Sequence, residues 1–353
     1  PLAFLSYLVL YAGFGYDPFY FHMFSLLLHI GCVCLVWKLI SSLLRVHGGV
    51  SEKQILYVNF ITTLLFAVHP INVEAVAWIS ALKVLLYAFF YLLGLLCYLR
   101  YIRTSKIFYY VLTIGCFLCS FWGKEQAVTF PLALLIVDWF TNRNMKNLEV
   151  WSEKMSFLIM AFFFGIITVL SQGKGPYEMI FPLYQRLLFG CFALVEYITK
   201  SLLPVNLNFF YPFPIVLGEE PPLHYYLYPV VLLFLMGWII AYRNNRYLVF
   251  GVLLFLVNLL FSIHLFNMSR HAIVADRYMY LSYVGIAFLI ANGIWWLRKR
   301  LSYFKAALVF LFFYCFFLSV YTFHYTKKWE NTTMVKKYTK EVLEKRLNGS
   351  NHL

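Results

Sequence analysis

Charge is what this sequence has least of. Only 12% of its 353 residues are Asp, Glu, Lys or Arg, and 62% are hydrophobic. Soluble domains carry about 25% charged residues, so an ordinary soluble globule is excluded. There is no Gly-rich phosphate loop and no DNA-binding motif. The net charge of +14 therefore does not point to nucleic acid. Most Lys and Arg stand at the ends of apolar runs, where they act as topology signals. Nor is there a cysteine framework. Cys32, Cys34, Cys97, Cys116, Cys119, Cys191 and Cys315 all lie inside apolar runs. The Cys116/Cys119 C-x-x-C has no second pair or His at zinc-site spacing, and small buried hydrophobes are the simpler reading. The chain begins at Pro1 with neither Met nor signal peptide, and further sequence is expected upstream.

What fills the chain is a series of long apolar runs, which define a polytopic α-helical membrane protein. Leu2–Tyr16 is short and interrupted by Ser6, Gly13 and Gly15, which suits an interfacial helix. Spans are expected at residues 19–44, 54–68, 85–99, 108–121, 127–140, 157–170, 225–242, 247–263, 279–297 and 306–323, about ten in all. The connections 45–53, 100–106 and 143–154 are basic, as are those at Arg243/Arg246 and at Arg298–Lys305. The positive-inside rule places them in the cytoplasm. Leu187–Leu203 must then stay interfacial, because a crossing there would invert every later loop. Its Glu196 and Lys200 at i, i+4 fit a half-wet helix. The organisation expected is a transmembrane domain over 1–329 and a Lys-rich outer-side tail over 330–353.

The polar chemistry collects on the outer side in this topology. His69–Lys83 is a polar break between two apolar runs, carrying His69, Glu74 and Lys83. Ionisable residues at a membrane rim mark functional sites by default. The plain alternative is helix punctuation, with Pro70 opening a helix and Glu74 near its positive end. Lys124-Glu125 reads as an internal ion pair or as a phosphate contact. Asp276-Arg277 precedes a span on the side where a positive-inside anchor is not expected. Arg suits bidentate phosphate recognition, with Asp276 to orient it. Asp138, at a cytoplasmic helix end, reads as a structural cap or ion pair. His22, His29 and His264 read as hydrogen-bonded packing residues. Asn267-Met-Ser269, Asn331-Thr-Thr333 and Asn348-Gly-Ser350 fit the glycosylation acceptor pattern.

The motifs follow one another in a definite order. Phe21-His22 and Leu28-His29 come first, then His69-Pro70, Glu74 and Trp78. Gly123-Lys124-Glu125, Pro131 and Asp138-Trp139 follow, then Leu203-Pro204-Val205-Asn206-Leu207 with Tyr211-Pro212. Ala275-Asp276-Arg277-Tyr278 closes the series. In this order, from Pro1 to about Trp329, the chain resembles the membrane half of transmembrane, tetratricopeptide-repeat-bearing O-mannosyltransferase-like proteins of the GT-C glycosyltransferase superfamily.

That resemblance implies a GT-C-like helical bundle that transfers a sugar, mannose, from a polyprenyl-phosphate carrier to a protein or glycan acceptor on the periplasmic or lumenal face. It implies catalytic roles for Glu74 and His69. Arg277, Lys124 and Asp276 would bind donor phosphate, with Trp78, Glu125 and Tyr211 in an acceptor or sugar groove. GT-C enzymes usually hold their catalytic acidic residue in a first outer loop, which no residue here matches, and the repeats that would follow Trp329 are not in this sequence. No cofactor is required, although His, Glu and carrier phosphate could ligate a divalent cation. The bilayer, the donor and the acceptor are the expected partners, without nucleic acid. A bacterial inner membrane is the first expectation for location, and the endoplasmic reticulum membrane the alternative. A non-catalytic scaffold of the same fold is one rival. A secondary transporter is another, less favoured for want of internal repeats.

Overall fold

The computed structural model describes residues 1–171, 181–264 and 272–350, apart from the side chains of 169, 171, 342, 343 and 345–350. Most of the Gly173–Arg186 connection and the Asn267 triplet lie outside the described residues. Fourteen α-helices fill the rest. The first seven are α1 (Leu2–Phe14), α2 (Pro18–His47), α3 (Glu52–Val68), α4 (Val73–Ala77), α5 (Leu82–Thr104), α6 (Ile107–Gly123) and α7 (Phe130–Phe140). The others are α8 (Leu148–Ser171), α9 (Leu183–Leu202), α10 (Leu227–Ala241), α11 (Arg246–Leu259), α12 (Met279–Trp296), α13 (Leu301–Thr326) and α14 (Thr332–Ser350). Among the described residues the only β pairing recorded is an isolated antiparallel bridge between Tyr211 and Val274.

Local signals explain where the helices start and stop. Asp17 accepts a hydrogen bond from the Phe19 amide (3.0 Å) and Pro18 opens α2, a start suited to proline's fixed φ. Ser51 caps α3 through the Gln54 amide (3.2 Å). That helix ends at His69 because the following Pro70 disfavours helical geometry in the residue before it. The chain bends by 51° there.

The structure corrects the count of ten spans. Among the described residues, six stretches are long and apolar enough to cross a membrane: Pro18–His47, Ile79–Thr104, Leu148–Thr168, Leu223–Ala241, Asp276–Lys299 and Leu301–Trp329. The bent pair of α3 and Pro70–Ala77 makes a seventh if it is one span. Where spans were expected at 108–121, 127–140 and 247–263, the helices have only 17, 11 and 14 residues. An 11-residue helix is about 16 Å long, half of a hydrocarbon core of about 30 Å. The α-helical part of α7 begins only at Phe130 because Glu125–Thr129 winds as a 3-10 turn ahead of Pro131. After α11 the chain unwinds toward His264, whose φ is 59°.

The core runs through α2, α3, α5, α11 and α12, built from side chains such as Val36, Leu65, Tyr91, Phe255 and Val284. Helices α11 and α12 cross closely at Gly251 and Gly285. A Cβ on Gly285 would lie 2.5 Å from the Gly251 carbonyl oxygen, so small residues set the distance between these backbones. By contrast α10 buries no residue and α1 none. Helix α1 is tied on by the Tyr7 hydroxyl, which donates to the Ile79 carbonyl (2.6 Å).

Contacts define two ends. At one, His47 bonds the Phe140 carbonyl (2.7 Å), Arg246 donates to the Trp139 carbonyl (3.1 Å), and Tyr57 meets Trp295. The basic connections gather here. At the other, Thr322 donates to the Val68 carbonyl (2.8 Å), Trp78 meets Trp329, and Arg277 meets Glu74. The first is the basic end of the bundle and the second its His69 end.

Candidate functional site at the His69 end

The site begins with the turn after α3. Ending a helix leaves carbonyls without intrahelical partners. Asn72 supplies one, its amide donating to the Phe66 carbonyl (2.7 Å), and His69 Nδ1 accepts from the Ile71 amide (3.2 Å). With the turn pinned, the five-residue α4 carries Glu74 inward until no part of it is exposed.

A second segment arrives from far along the chain. The Ile273 amide donates to the Tyr211 carbonyl (2.9 Å), and the Ala275 amide donates to the Tyr197 hydroxyl (3.2 Å). This fixes the extended approach to the turn Asp276–Tyr278. Residues in a 3-10 turn are rotated by about 120° from one to the next, so the two neighbours point in different directions. Arg277 faces Glu74, which accepts from its backbone amide (2.7 Å) and from its guanidinium. Asp276 faces Tyr211, whose hydroxyl donates to both carboxylate oxygens (3.0 and 3.1 Å), and Lys200, whose Nζ is 3.7 Å away.

Both carboxylates are fully buried. A charge so placed is costly unless paired and hydrogen-bonded, and each has a cation and a further donor. The Tyr211 phenol lies among them. Burial, with the adjacent Asp276 carboxylate adding to it, pushes its pKa well above the ordinary value, so it stays protonated and acts as the donor. Aromatic faces complete the wall. The Arg277 guanidinium lies 5.4 Å from the Trp78 ring centroid and 5.2 Å from that of Tyr278. Lys124 Nζ is 4.5 Å from the Tyr278 ring. Trp78 in turn packs against Phe209 and Trp329.

The structure thus brings Glu74, Trp78, Lys124, Tyr211, Asp276 and Arg277 together. Three details differ from the sequence reading. Asp276 does not orient Arg277; Glu74 does, for the rotational reason above. His69 turns its ring into the core against Tyr283, 4.2 Å between centroids, rather than beside the Glu74 carboxylate. Tyr211 is an inner partner of Asp276 rather than the lining of an open groove. Glu125 is half-buried at the start of its 3-10 turn. Among the described residues no group of three or more His, Cys, Asp and Glu side chains is gathered as metal ligands would be.

Lys200 is the residue the sequence reading missed. Its spacing to Glu196 suggested a half-wet helix with the pair on its wet side, yet Lys200 is 3% exposed, with Glu196 at 3.6 Å and its Nζ 3.4 Å from the Tyr211 ring centroid. The signal was present: Phe189, Ala193, Tyr197 and Ser201 form the buried stripe of α9, and Lys200 falls within that stripe.

Fold and site together define a helical integral membrane protein with a cluster of buried, paired charges at one end. In sequence, two fifths to one half of the chain is similar to protein O-mannosyl-transferases. It is 29% identical to the protein O-mannosyl-transferase tmtc2 of Xenopus laevis over 181 residues, 49% of this chain and 20% of that protein. It is 33% identical to human TMTC2 over 157 residues (42% and 18%), and 27% identical to Drosophila melanogaster Tmtc3 over 169 (42% and 18%). The chain spans about a fifth of the length of these curated relatives. In this stretch it is O-mannosyltransferase-like. No protein-family model and no solved structure matches it.

Proposed function

We propose that this chain is the membrane part of a GT-C-type glycosyltransferase that moves mannose from a polyprenyl-phosphate carrier to a protein acceptor. The observation that carries the reading is the His69-end cluster, in which Glu74, Lys200 and the neighbours Asp276 and Arg277 come from three separate segments and meet within the protein. A lipid-linked donor needs cations where its phosphate lies at the membrane rim, and the leaving phosphate needs stabilised negative charge. Arg277 offers a planar fork of N–H donors, of which Glu74 holds one side, and Lys124 adds a second cation. Glu74 serves the sugar and acceptor side while keeping Arg277 in position. His69 sustains the bend that delivers Glu74. Trp78 gives an aromatic face on which a sugar ring can stack. The carboxylate that would take the acceptor's proton has no counterpart among these residues.

The relatives named above are animal proteins, which favours the endoplasmic reticulum membrane over a bacterial one, with the His69 end toward the lumen. Asn331, first residue of a glycosylation triplet, is exposed close to Trp329 at this same end. The test is transfer from polyprenyl-phosphate-mannose in membranes carrying the full-length protein, beside Glu74→Gln and Arg277→Ala. Transfer that falls by about a hundredfold in both, the size of losing one charge-stabilising donor, supports the assignment. Transfer intact in both variants overturns it.

A further inference from the structure

At the basic end a cavity of about 240 Å³ opens between the start of α3, the start of α11 and the end of α12. Asn245, Asn292, Trp295, Trp296, Arg298 and Lys299 supply most of its lining, and no Asp or Glu among the described residues contributes to it. The Arg298 guanidinium lies 4.4 Å from the Trp295 ring centroid, and Lys299 Nζ 6.0 Å from that of Trp296. Asn245 uses its side-chain oxygen to cap α11, accepting from Tyr247 and Leu248 (3.1 and 3.2 Å), which leaves its N–H groups as donors. Asn292 donates to the Phe288 carbonyl (2.8 Å), which leaves its oxygen as an acceptor. Two cations, an amide donor and an amide acceptor therefore share one hollow.

From these groups we infer that this cavity binds the headgroup of an anionic phospholipid. Two cations without a carboxylate select a phosphate-bearing anion, and Arg298 supplies the fork that matches phosphate oxygens. The spare Asn292 oxygen suits a hydroxyl or ammonium group beside that phosphate, which a lipid headgroup has and inorganic phosphate lacks. Position favours the lipid as well. The cavity closes the end of the apolar stretch Asp276–Lys299 and the beginning of α3, so its mouth lies at the level of the headgroups. Trp296, 64% exposed, stands where tryptophans anchor to the interface. Basic pockets between membrane helices hold such headgroups through these contacts.

The inference is tested with the full-length protein in phosphatidylcholine nanodiscs supplemented with phosphatidylserine, with retained lipid counted by native mass spectrometry. Removing both cations (Arg298→Gln with Lys299→Gln) is expected to weaken phosphatidylserine retention about thirtyfold, given the contribution of basic side chains near anionic lipid. Those cations also help to orient the chain. Asn292→Leu keeps every charge, removes the acceptor and narrows the cavity, and about a fivefold loss is expected from it. Unchanged preference for phosphatidylserine in both variants overturns the inference. So does displacement of the lipid by glycerol 3-phosphate at equal concentration, which would make this a site for soluble phosphates.

Discussion

Buried charge occurs at both ends of this bundle, and the two clusters are assembled differently. At the basic end Asp138 accepts from the Tyr98 hydroxyl at both carboxylate oxygens (2.8 Å each), from Arg143 (3.1 Å) and from Lys154. Glu153 then accepts from Arg143 (2.7 and 2.9 Å) and from Lys154 (3.0 Å). Two carboxylates face two cations, all between Asp138 near the end of α7 and Lys154 in the first turns of α8, and the charges are mutually satisfied. At the His69 end Glu74, Lys200 and the pair Asp276-Arg277 come from three distant parts of the chain. Lys200 makes no hydrogen bond among the described residues, its carboxylates staying at 3.6 and 3.7 Å. A closed network built from neighbours in sequence serves the fold. A looser one, built across the fold with cationic capacity left over, can accept a ligand.

The comparison is sharpest where one partner is removed from each cluster. Lys154→Met leaves Asp138 buried in a network that has no slack, and a loss of about 3–5 kcal/mol is expected, as for other broken buried pairs. Thermal unfolding of the protein in detergent reads it. Lys200→Met is expected to cost less, about 1–3 kcal/mol, because Asp276 keeps the Tyr211 hydrogen bonds and Lys200 was held only at ion-pair distance. Equal costs would mean that the His69-end cluster is also a structural lock, and the comparison would fail.

Much of this was legible in the sequence, for identifiable reasons. Long apolar runs announce themselves, so the stretches that became α2, α5, α8, α10, α12 and α13 were located correctly. The alternation of basic connections brought His69–Trp78, Lys124, Tyr211 and Asp276-Arg277 to one end before any contact was known. Pairing was not legible, because Glu74 and Arg277 lie 203 residues apart and nothing local encodes their meeting. Lys200 was misread because an i, i+4 Glu–Lys pair looks the same on a wet face and a buried one. Span length at α7 was overestimated because hydropathy does not register the tight turn at Glu125–Thr129.

A finer test exchanges one hydroxyl at each end. Tyr98→Phe and Tyr211→Phe each remove a phenol that donates to both oxygens of a buried carboxylate. Asp138 retains Arg143 and Lys154 at short range, so Tyr98→Phe is expected to cost only about 1 kcal/mol in stability and to leave the proposed mannose transfer unchanged. Asp276 retains only the more distant Lys200 among the ion pairs above. Without the Tyr211 hydroxyl its carboxylate can draw Lys200 closer and shift the turn that carries Arg277. Stability is again expected to fall by about 1 kcal/mol, but here transfer falls about tenfold, since small misplacements of a charge-stabilising group cost rate. Measured side by side, equal stability with unequal transfer separates a cluster that holds the fold from one that positions Arg277. A Tyr211→Phe protein with full transfer would remove Asp276 and Tyr211 from that role, leaving Glu74 alone to hold Arg277.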